Sequence, residues 1–357
     1  MSGVRRIFEL GRSLKSPVDL SIGQPHFPVP QPIKNALKAA VDADKNGYTI
    51  TQGIPELRLK TKSWIDERYH QPDRDVIITS GTSGGLLLAV MATVNPGDEV
   101  IIFDPYFVAY EPMVKLAAGV PVIIDTYPDF ELDVEKVRKA ITPKTKMIIF
   151  NTPSNPTGTV ASRDAVRELA ALCDKHGILL VSDEIYNRFS YDGPVTSPAE
   201  FLPSTLVVDG FGKTYAMTGW RLGIAHGPSA IIEQMAKLQQ FSFVCAPSMV
   251  QHAGVVACDT DMSKEVADYH RKRDRLCDAL QGRFEFTKPG GAFYLFAKCP
   301  WGNSMDFATA AVERNLLIIP GTVFSRRDTH VRISYAVSDE TLERGIEILL
   351  SLASRRA

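Results

Sequence analysis

The chain has 357 residues, 45% of them hydrophobic and 23% charged, and a formal net charge of −1. That balance gives no electrostatic basis for binding nucleic acid or an anionic membrane surface, and the length suits two domains or one large domain carrying a smaller one. Five scattered cysteines (Cys173, Cys245, Cys258, Cys277, Cys299), none in a C-x-x-C pair, read as reduced thiols of a cytoplasmic protein, not as a disulfide framework or a metal site.

In chain order, residues 1–10 lack the apolar core of a signal peptide, and no later stretch has the uninterrupted apolar length of a membrane span. The proline-rich residues 24–32 are expected to be irregular. From about 75 to 226, short β-rich runs alternate with helical ones. Strands are predicted at 75–79, 99–103, 120–125, 146–150, 178–183, 205–209 and 221–225, with helices at 84–94, 133–140 and 162–176. Most of the strand runs are nearly continuous Val, Ile, Leu and Phe, the pattern of strands covered on both faces. The layout is α/β with a largely parallel sheet. Beyond about 260, helices at 262–280, 305–315 and 338–354 surround short strands near 292–296, 317–319 and 331–335, which predicts a second, α+β layer.

Ligands of open α/β sheets gather at the carboxyl ends of the strands, and the chemically telling residues fall there repeatedly. Ser80-Gly-Thr-Ser-Gly-Gly85 follows the first predicted strand of this region, and Pro105-Tyr-Phe107 the second. Asn151-Thr-Pro-Ser-Asn-Pro-Thr-Gly158 follows the fourth, Asp183-Glu-Ile-Tyr186 ends the fifth, and Gly210-Phe-Gly-Lys213 follows the sixth. Small residues at a strand-to-helix turn present backbone N–H groups to an anion, or simply form a capped turn. The run lacks the Gly-Lys-Ser/Thr ending of a nucleotide triphosphate loop, and Gly210-Phe-Gly212 lacks the third glycine of a dinucleotide fingerprint. Asp183 closes an apolar strand, where a lone carboxylate is costly unless it meets a cation or caps a turn. Asn155 also reads as a turn residue, and Tyr186 as packing. Lys213, freed by flanking glycines and with Arg221 eight residues on, is placed as an activated amine beside an anion.

Taken together, these residues resemble the class I/II aminotransferase family, fold-type I enzymes dependent on pyridoxal 5′-phosphate (PLP), and within it the short-chain aspartate aminotransferase subgroup. The resemblance runs from Ser21-Ile-Gly-Gln-Pro25 to Val331-Arg-Ile-Ser-Tyr-Ala336 and covers nearly the whole chain. It implies a large domain with a mostly parallel seven-stranded sheet between helices, plus a smaller α+β domain. The division would be 1–40 (joining the small domain), 41–258 (large, PLP-binding) and 259–357 (small). Lys213 would hold the cofactor as a Schiff base and then act as base at the substrate Cα. Asp183 would keep the pyridine nitrogen protonated, with Asn155 and Tyr186 on the ring oxygen and Phe107 stacked on the ring. Gly81, Thr82, Ser83 and Arg221 would bind the phosphate, joined by Tyr48 from a neighbouring subunit of a homodimer. Arg332, with Gly23 and Asn155, would grip the substrate α-carboxylate.

The implied reaction moves an amino group from an L-α-amino acid, aspartate or a neutral or aromatic one, to a 2-oxo acid such as 2-oxoglutarate. A PLP-dependent carbon–sulfur β-lyase is the alternative reaction, and a PLP-sensing transcriptional regulator a remote one. There are departures from the family pattern. Gly212 and Gly210 stand where relatives carry phosphate-binding serines, so weaker cofactor retention is expected. Met91 lies about where acid-specific relatives project a lysine, and Gln24 and His26 stand where many carry Glu and Asp. These weaken strict aspartate specificity.

Overall fold

A computed structural model describes residues 14–354; residues 1–10 and the outer ends of segments 1–40 and 259–357 therefore lie outside the described residues. A short strand, β1 (Val18–Asp19), opens the chain and is used far from its neighbours in sequence. The next seven strands form the central sheet: β2 (Arg74–Ser80), β3 (Glu99–Asp104), β4 (Val120–Asp125), β5 (Thr145–Asn151), β6 (Leu179–Asp183), β7 (Leu206–Gly210) and β8 (Leu222–Pro228). Their spatial order is β2-β8-β7-β6-β5-β3-β4. Every neighbouring pair is parallel except the two made by β8, which runs antiparallel to β2 and β7.

The period of two along each strand sends alternate residues into opposite layers. Val100, Ile102, Met147 and Ile149 pack with Leu86, Val90, Ile232 and Met235 of helices Gly81–Thr93 and Ser229–Ser242. Ile101, Ile148, Phe150 and Leu180 face the other way, onto Val137, Val166 and Leu169 of helices Val134–Ala140 and Arg163–His176. Helix ends follow local chemistry. Asp133 and Ser162 accept first-turn N–H groups of those two helices, and Gly177 ends the second in the left-handed conformation.

The last part of the chain supplies β9 (Glu285–Phe286), β10 (Tyr294–Lys298), β11 (Leu316–Leu317), β12 (Ile319–Pro320) and β13 (His330–Ser334). Four of them form an antiparallel sheet in the order β12-β13-β10-β9, while β11 pairs in parallel with β1. Helices Ser263–Leu280 and Asp339–Ala353 pack on this layer through Leu276, Leu280, Ile346 and Leu349. No helix among the described residues is long and apolar enough to cross a membrane.

Several expectations need correcting. The proline-rich segment is not irregular to its end: helix Gln31–Asp42 begins inside it, with Pro32 in the first turn, where no intrahelical N–H bond is made. The helix after β2 starts at Gly81 instead of residue 84, so Thr82 and Ser83 occupy a first helical turn. The strand expected at 317–319 is two, β11 and β12, serving different sheets. Arg221 precedes β8 in a left-handed conformation (φ 57°) and is not its first residue. Helices Pro55–Tyr69, Ser229–Ser242 and Ser248–Ala257 were not anticipated.

Candidate active site

A cavity of about 510 Å³ opens where the carboxyl ends of β2, β3, β5, β6 and β7 meet β13 and the N-terminal segment. Its wall includes Gly23, Gly81, Thr82, Ser83, Phe107, Asn155, Asp183, Tyr186, Lys213, Arg221 and Arg332. Sequence positions spread over more than 300 residues are thus brought together. Tyr48 is not: it is 87% exposed and does not line the cavity within one chain. Met91, half-exposed on helix Gly81–Thr93, does not line it either. His26 turns away, its Nδ1 3.0 Å from the Tyr269 hydroxyl and its Nε2 3.1 Å from Lys272 Nζ.

Asp183 sits at the end of β6, 3% exposed. It accepts the Tyr110 hydroxyl at 2.7 Å and the Ile185 N–H at 3.2 Å. Burial lifts its carboxyl from 3.8 to about 6, against the opposing pull of those two donors. The folded chain therefore holds this proton more tightly than the unfolded one: the group's stabilisation is complete below pH 3.8 and is lost as pH rises through 6. Asp183→Asn keeps an acceptor for Tyr110 and removes the charge. It should raise the unfolding free energy of the ligand-free protein at pH 7.5 by on the order of 3 kcal/mol, with the gain shrinking below pH 6. Denaturant titrations at several pH values check this, and an unchanged stability at pH 7.5 would contradict it.

Lys213 follows β7 in the short helix Phe211–Thr214. Its Nζ donates to the Gly23 carbonyl and lies 5.9 Å from the centre of the Tyr186 ring. Burial, then the nearby guanidinium groups of Arg332 and Arg221, lower its amine from 10.5 to about 8, while Asp183 opposes the shift. A neutral, nucleophilic amine is therefore accessible near physiological pH.

Arg332, in mid-β13, is 6% exposed, which excludes a surface role. Its Nη1 donates to Asn155 Oδ1 at 3.0 Å and its Nη2 to the Ser21 carbonyl at 2.8 Å. The guanidinium lies 4.4 Å from the Tyr294 ring centre and 4.6 Å from that of Phe324, and its buried Nε has no hydrogen-bond partner among the described residues.

The anion cradle depends on glycine. A Cβ on Gly81 (φ +70°) would lie 2.4 Å from Arg221 Nη2, so only glycine lets that guanidinium lie over the first turn of helix Gly81–Thr93. There the helix dipole and free N–H groups already favour negative charge. The two glycines near Lys213 differ. A Cβ on Gly210 would meet Thr82 Oγ1 at 2.7 Å, whereas one on Gly212 finds nothing nearer than Thr218 Cα at 3.6 Å. Gly212→Ser should therefore fit and tighten phosphate binding about 5- to 10-fold, the effect of one added ordinary hydrogen bond of about 1 kcal/mol. Equilibrium dialysis with inorganic phosphate measures it; unchanged affinity would mean that the new hydroxyl does not reach the anion.

Sequence reasoning missed Tyr110 and Tyr294. Tyr110 stands one turn beyond Phe107, with the two rings edge-on at 5.6 Å, and that spacing was the available signal. Tyr294, whose hydroxyl pairs with that of Tyr186 at 2.9 Å, gave none. Asp209 was also missed, although it ends an apolar run as Asp183 does. It accepts Gly210 N–H at 2.6 Å and Asn187 Nδ2 at 2.8 Å, and its carbonyl takes the Thr82 hydroxyl at 3.1 Å.

The family model "Aminotransferase class I and II" matches residues 15–349. A probable aspartate aminotransferase of Methanocaldococcus jannaschii is 36% identical, over 98% of this chain and 96% of its own length. The aspartate/prephenate aminotransferase of Thermus thermophilus is 37% identical, over 96% of this chain and 92% of its own. The crystal structure of an aspartate aminotransferase from Thermotoga maritima matches with a TM-score of 0.94 at 30% identity, covering 98% of this chain and 96% of that one. With sequence and fold agreeing over nearly the full length, the chain belongs to the class I and II aminotransferases and is an aminotransferase.

Proposed function

We propose that this aminotransferase works with pyridoxal 5′-phosphate and moves the amino group of an L-α-amino acid to a 2-oxo acid, 2-oxoglutarate in the first instance. The observation that carries the reading is the buried Lys213 amine, lowered to about 8, in a cavity that also holds Asp183 and Arg332. The donor set fits the cofactor: a glycine-built anion cradle under Arg221, a deep carboxylate with no cation bonded to it among the described residues, and an aromatic wall at Phe107. When bound, pyridoxal 5′-phosphate supplies an electron sink for the charge that develops at the substrate Cα.

The chain's own residues do the rest. Gly81, Thr82, Ser83 and Arg221 hold the phosphate, and Asp183 holds a proton at the ring nitrogen. Asn155 and Tyr186 fix the ring oxygen. Lys213 would hold the cofactor through its amine and would carry the proton at the substrate Cα. Arg332 orients the substrate through its α-carboxylate, helped by Gly23 and Asn155, so that the Cα–H bond faces Lys213.

Tyr48 reaches the phosphate of a second copy in a homodimer; its 87% exposure in the single chain, with half-exposed Ile50 nearby, supports this. A division of 1–40 with 259–357 from 41–258 is supported by the pairing of β1 with β11 and by a central sheet confined to 74–228, although helix Gln31–Asp42 spans the boundary and packs Ile33 with Leu57, Val76 and Ala253 of the larger body. Five free cysteines support a cytoplasmic location. The test is borohydride reduction of the loaded protein followed by peptide mapping, together with a panel of amino donors against 2-oxoglutarate. Label on Lys213 and 2-oxo acid formation are expected. Label elsewhere, or release of pyruvate and ammonia in place of amino transfer, would overturn the reading.

A further inference from the structure

Tyr48 stands 87% exposed in the single chain, yet the loop that carries it is bonded to the core on both sides of it. Before it, the Lys45 carbonyl accepts from Ser248 Oγ at 2.9 Å. After it, Thr49 Oγ1 accepts from Gln251 Nε2 at 3.1 Å, and Ile54 donates its N–H to Gln251 Oε1 at 2.8 Å. Ser248 and Gln251 are one turn apart on helix Ser248–Ala257, so one face of one helix grips both shoulders of the loop. A second glutamine, Gln239 of helix Ser229–Ser242, donates its Nε2 to the Thr51 carbonyl at 2.6 Å and to the Ile78 carbonyl of β2 at 2.9 Å.

β2 is an edge strand of the central sheet, and its outward Ile78 N–H donates to the Gln52 carbonyl at 2.9 Å. The loop thus lies along that open edge and covers it. A Cβ on Gly53 (φ +107°) would lie 2.2 Å from Ile78 Cγ1, so only glycine permits this approach. Gln251 and Gln239 are both fully buried. A buried amide is costly unless its groups are bonded; Gln251 uses both ends, with a third bond to the Ala246 carbonyl at 2.9 Å. Gln239 is kept although its Oε1 has no hydrogen-bond partner among the described residues. Two buried amides fix a loop whose apex meets only water, a cost that makes sense when the apex has a set destination. Exposed Ile50 and Phe241, close in sequence to the pinned Thr51 and Gln239, give the same two elements an outward apolar surface that a second copy would cover.

Resting on the reading that Tyr48 reaches the phosphate of a second copy, we infer that Gln251 is a positioning residue for the neighbouring subunit's cofactor, acting in trans through Tyr48, with Gln239 and Ser248 supporting the same loop. An O–H···O bond is made only over about 2.5–3.0 Å, so the phenol serves a phosphate outside its own chain only if the loop holds its place. The rival account is an effect within one chain: the loop also touches β2, which runs into the anion cradle at Gly81.

The test reads cofactor affinity as the pyridoxal 5′-phosphate concentration that gives half-maximal borohydride-fixed label on Lys213, with no turnover required. Gln251→Met keeps the volume and removes the amide. It should weaken binding about 10- to 100-fold, as Tyr48→Phe should, the loss of one hydrogen bond to a charged group. The double variant should be no weaker than the weaker single one, because both act on one contact. Hybrid dimers purified through two different tags then separate the chains. Pairing a Gln251→Met chain with a Lys213→Ala chain puts the label on the first, whose phosphate meets the second chain's intact loop, so parental affinity should return. Pairing a parent chain with a Gln251→Met/Lys213→Ala chain puts the label on the parent, where affinity should fall at least about tenfold. If Gln251→Met does not fold, Gln239→Met and Ser248→Ala put the same question. Parental affinity in the folded variant homodimer, additive losses in the double variant, or a loss that follows the labelled chain's own substitution would overturn the inference. Tyr48→Phe in the same hybrids tests the reading beneath it: no loss, or a loss that stays with the labelled chain, would bring down the shared site itself.

Discussion

Lys213→Ala should lower transamination by about 10⁴-fold or more. The proton transfer at Cα alone is worth roughly 10²–10⁴, and the amine that would hold the cofactor is lost with it. The replacement removes a buried group without disturbing the sheet, because Lys213 lies beyond β7 in a four-residue helix. Burial and the two arginines set this amine near 8, so no neighbouring lysine of ordinary basicity can replace it at neutral pH. Single-turnover assays, which report the chemical step without product release, are the right measurement. Turnover within tenfold of the parent would remove Lys213 from the mechanism.

Arg332→Ala should raise KM and reduce kcat/KM by roughly 30-fold to several thousand-fold, equivalent to about 2–5 kcal/mol for a desolvated charge pair. Two effects add. The substrate carboxylate loses its planar, two-point partner, and Asn155 Oδ1 and the Ser21 carbonyl lose a donor. Arg332→Lys should recover little of the loss. An ammonium offers no fork, and it lacks the planar face a guanidinium can present to the Tyr294 and Phe324 rings, 4.4 and 4.6 Å away. Borohydride labelling of Lys213 should persist in both variants, separating substrate grip from cofactor attachment. An unchanged kcat/KM would point to a different clamp.

The central sheet was legible because strands buried on both faces must be apolar at nearly every position, and the runs at 146–150 and 178–183 leave little choice; edge strand β4 reads as apolar too, although only its Ile124 is buried. The residues at the strand ends were legible for a related reason: Asp183 is a charge in apolar company, and Lys213 a cation between glycines. What escaped was decided by tertiary partners. Tyr110 reaches Asp183 across 73 positions, and Tyr186 reaches Tyr294 across 108, so no local pattern announces either pair. Helix Pro55–Tyr69 is polar along most of its length and owes its place to a few buried residues, Leu57 and Ile65 among them. The start at Gly81 was missed because glycines argue for a loop, whereas here Gly81 makes room for a guanidinium inside a helical turn.

The closure of the N-terminal strand on the far end of the chain also sets when the enzyme can begin to work. Val18 lies opposite Leu316, Ser334 N–H donates to the Leu20 carbonyl, and just beyond it Ser21 and Gly23 supply the carbonyls that hold Arg332 and Lys213. During synthesis at about 5–20 residues per second, the first of these partners waits roughly 15–60 s for the last to be made. The large sheet can be complete well before then, because β8 ends at Pro228. A nascent chain therefore passes through a long interval in which it is folded at its centre and catalytically silent, and activity arrives only when its two ends meet.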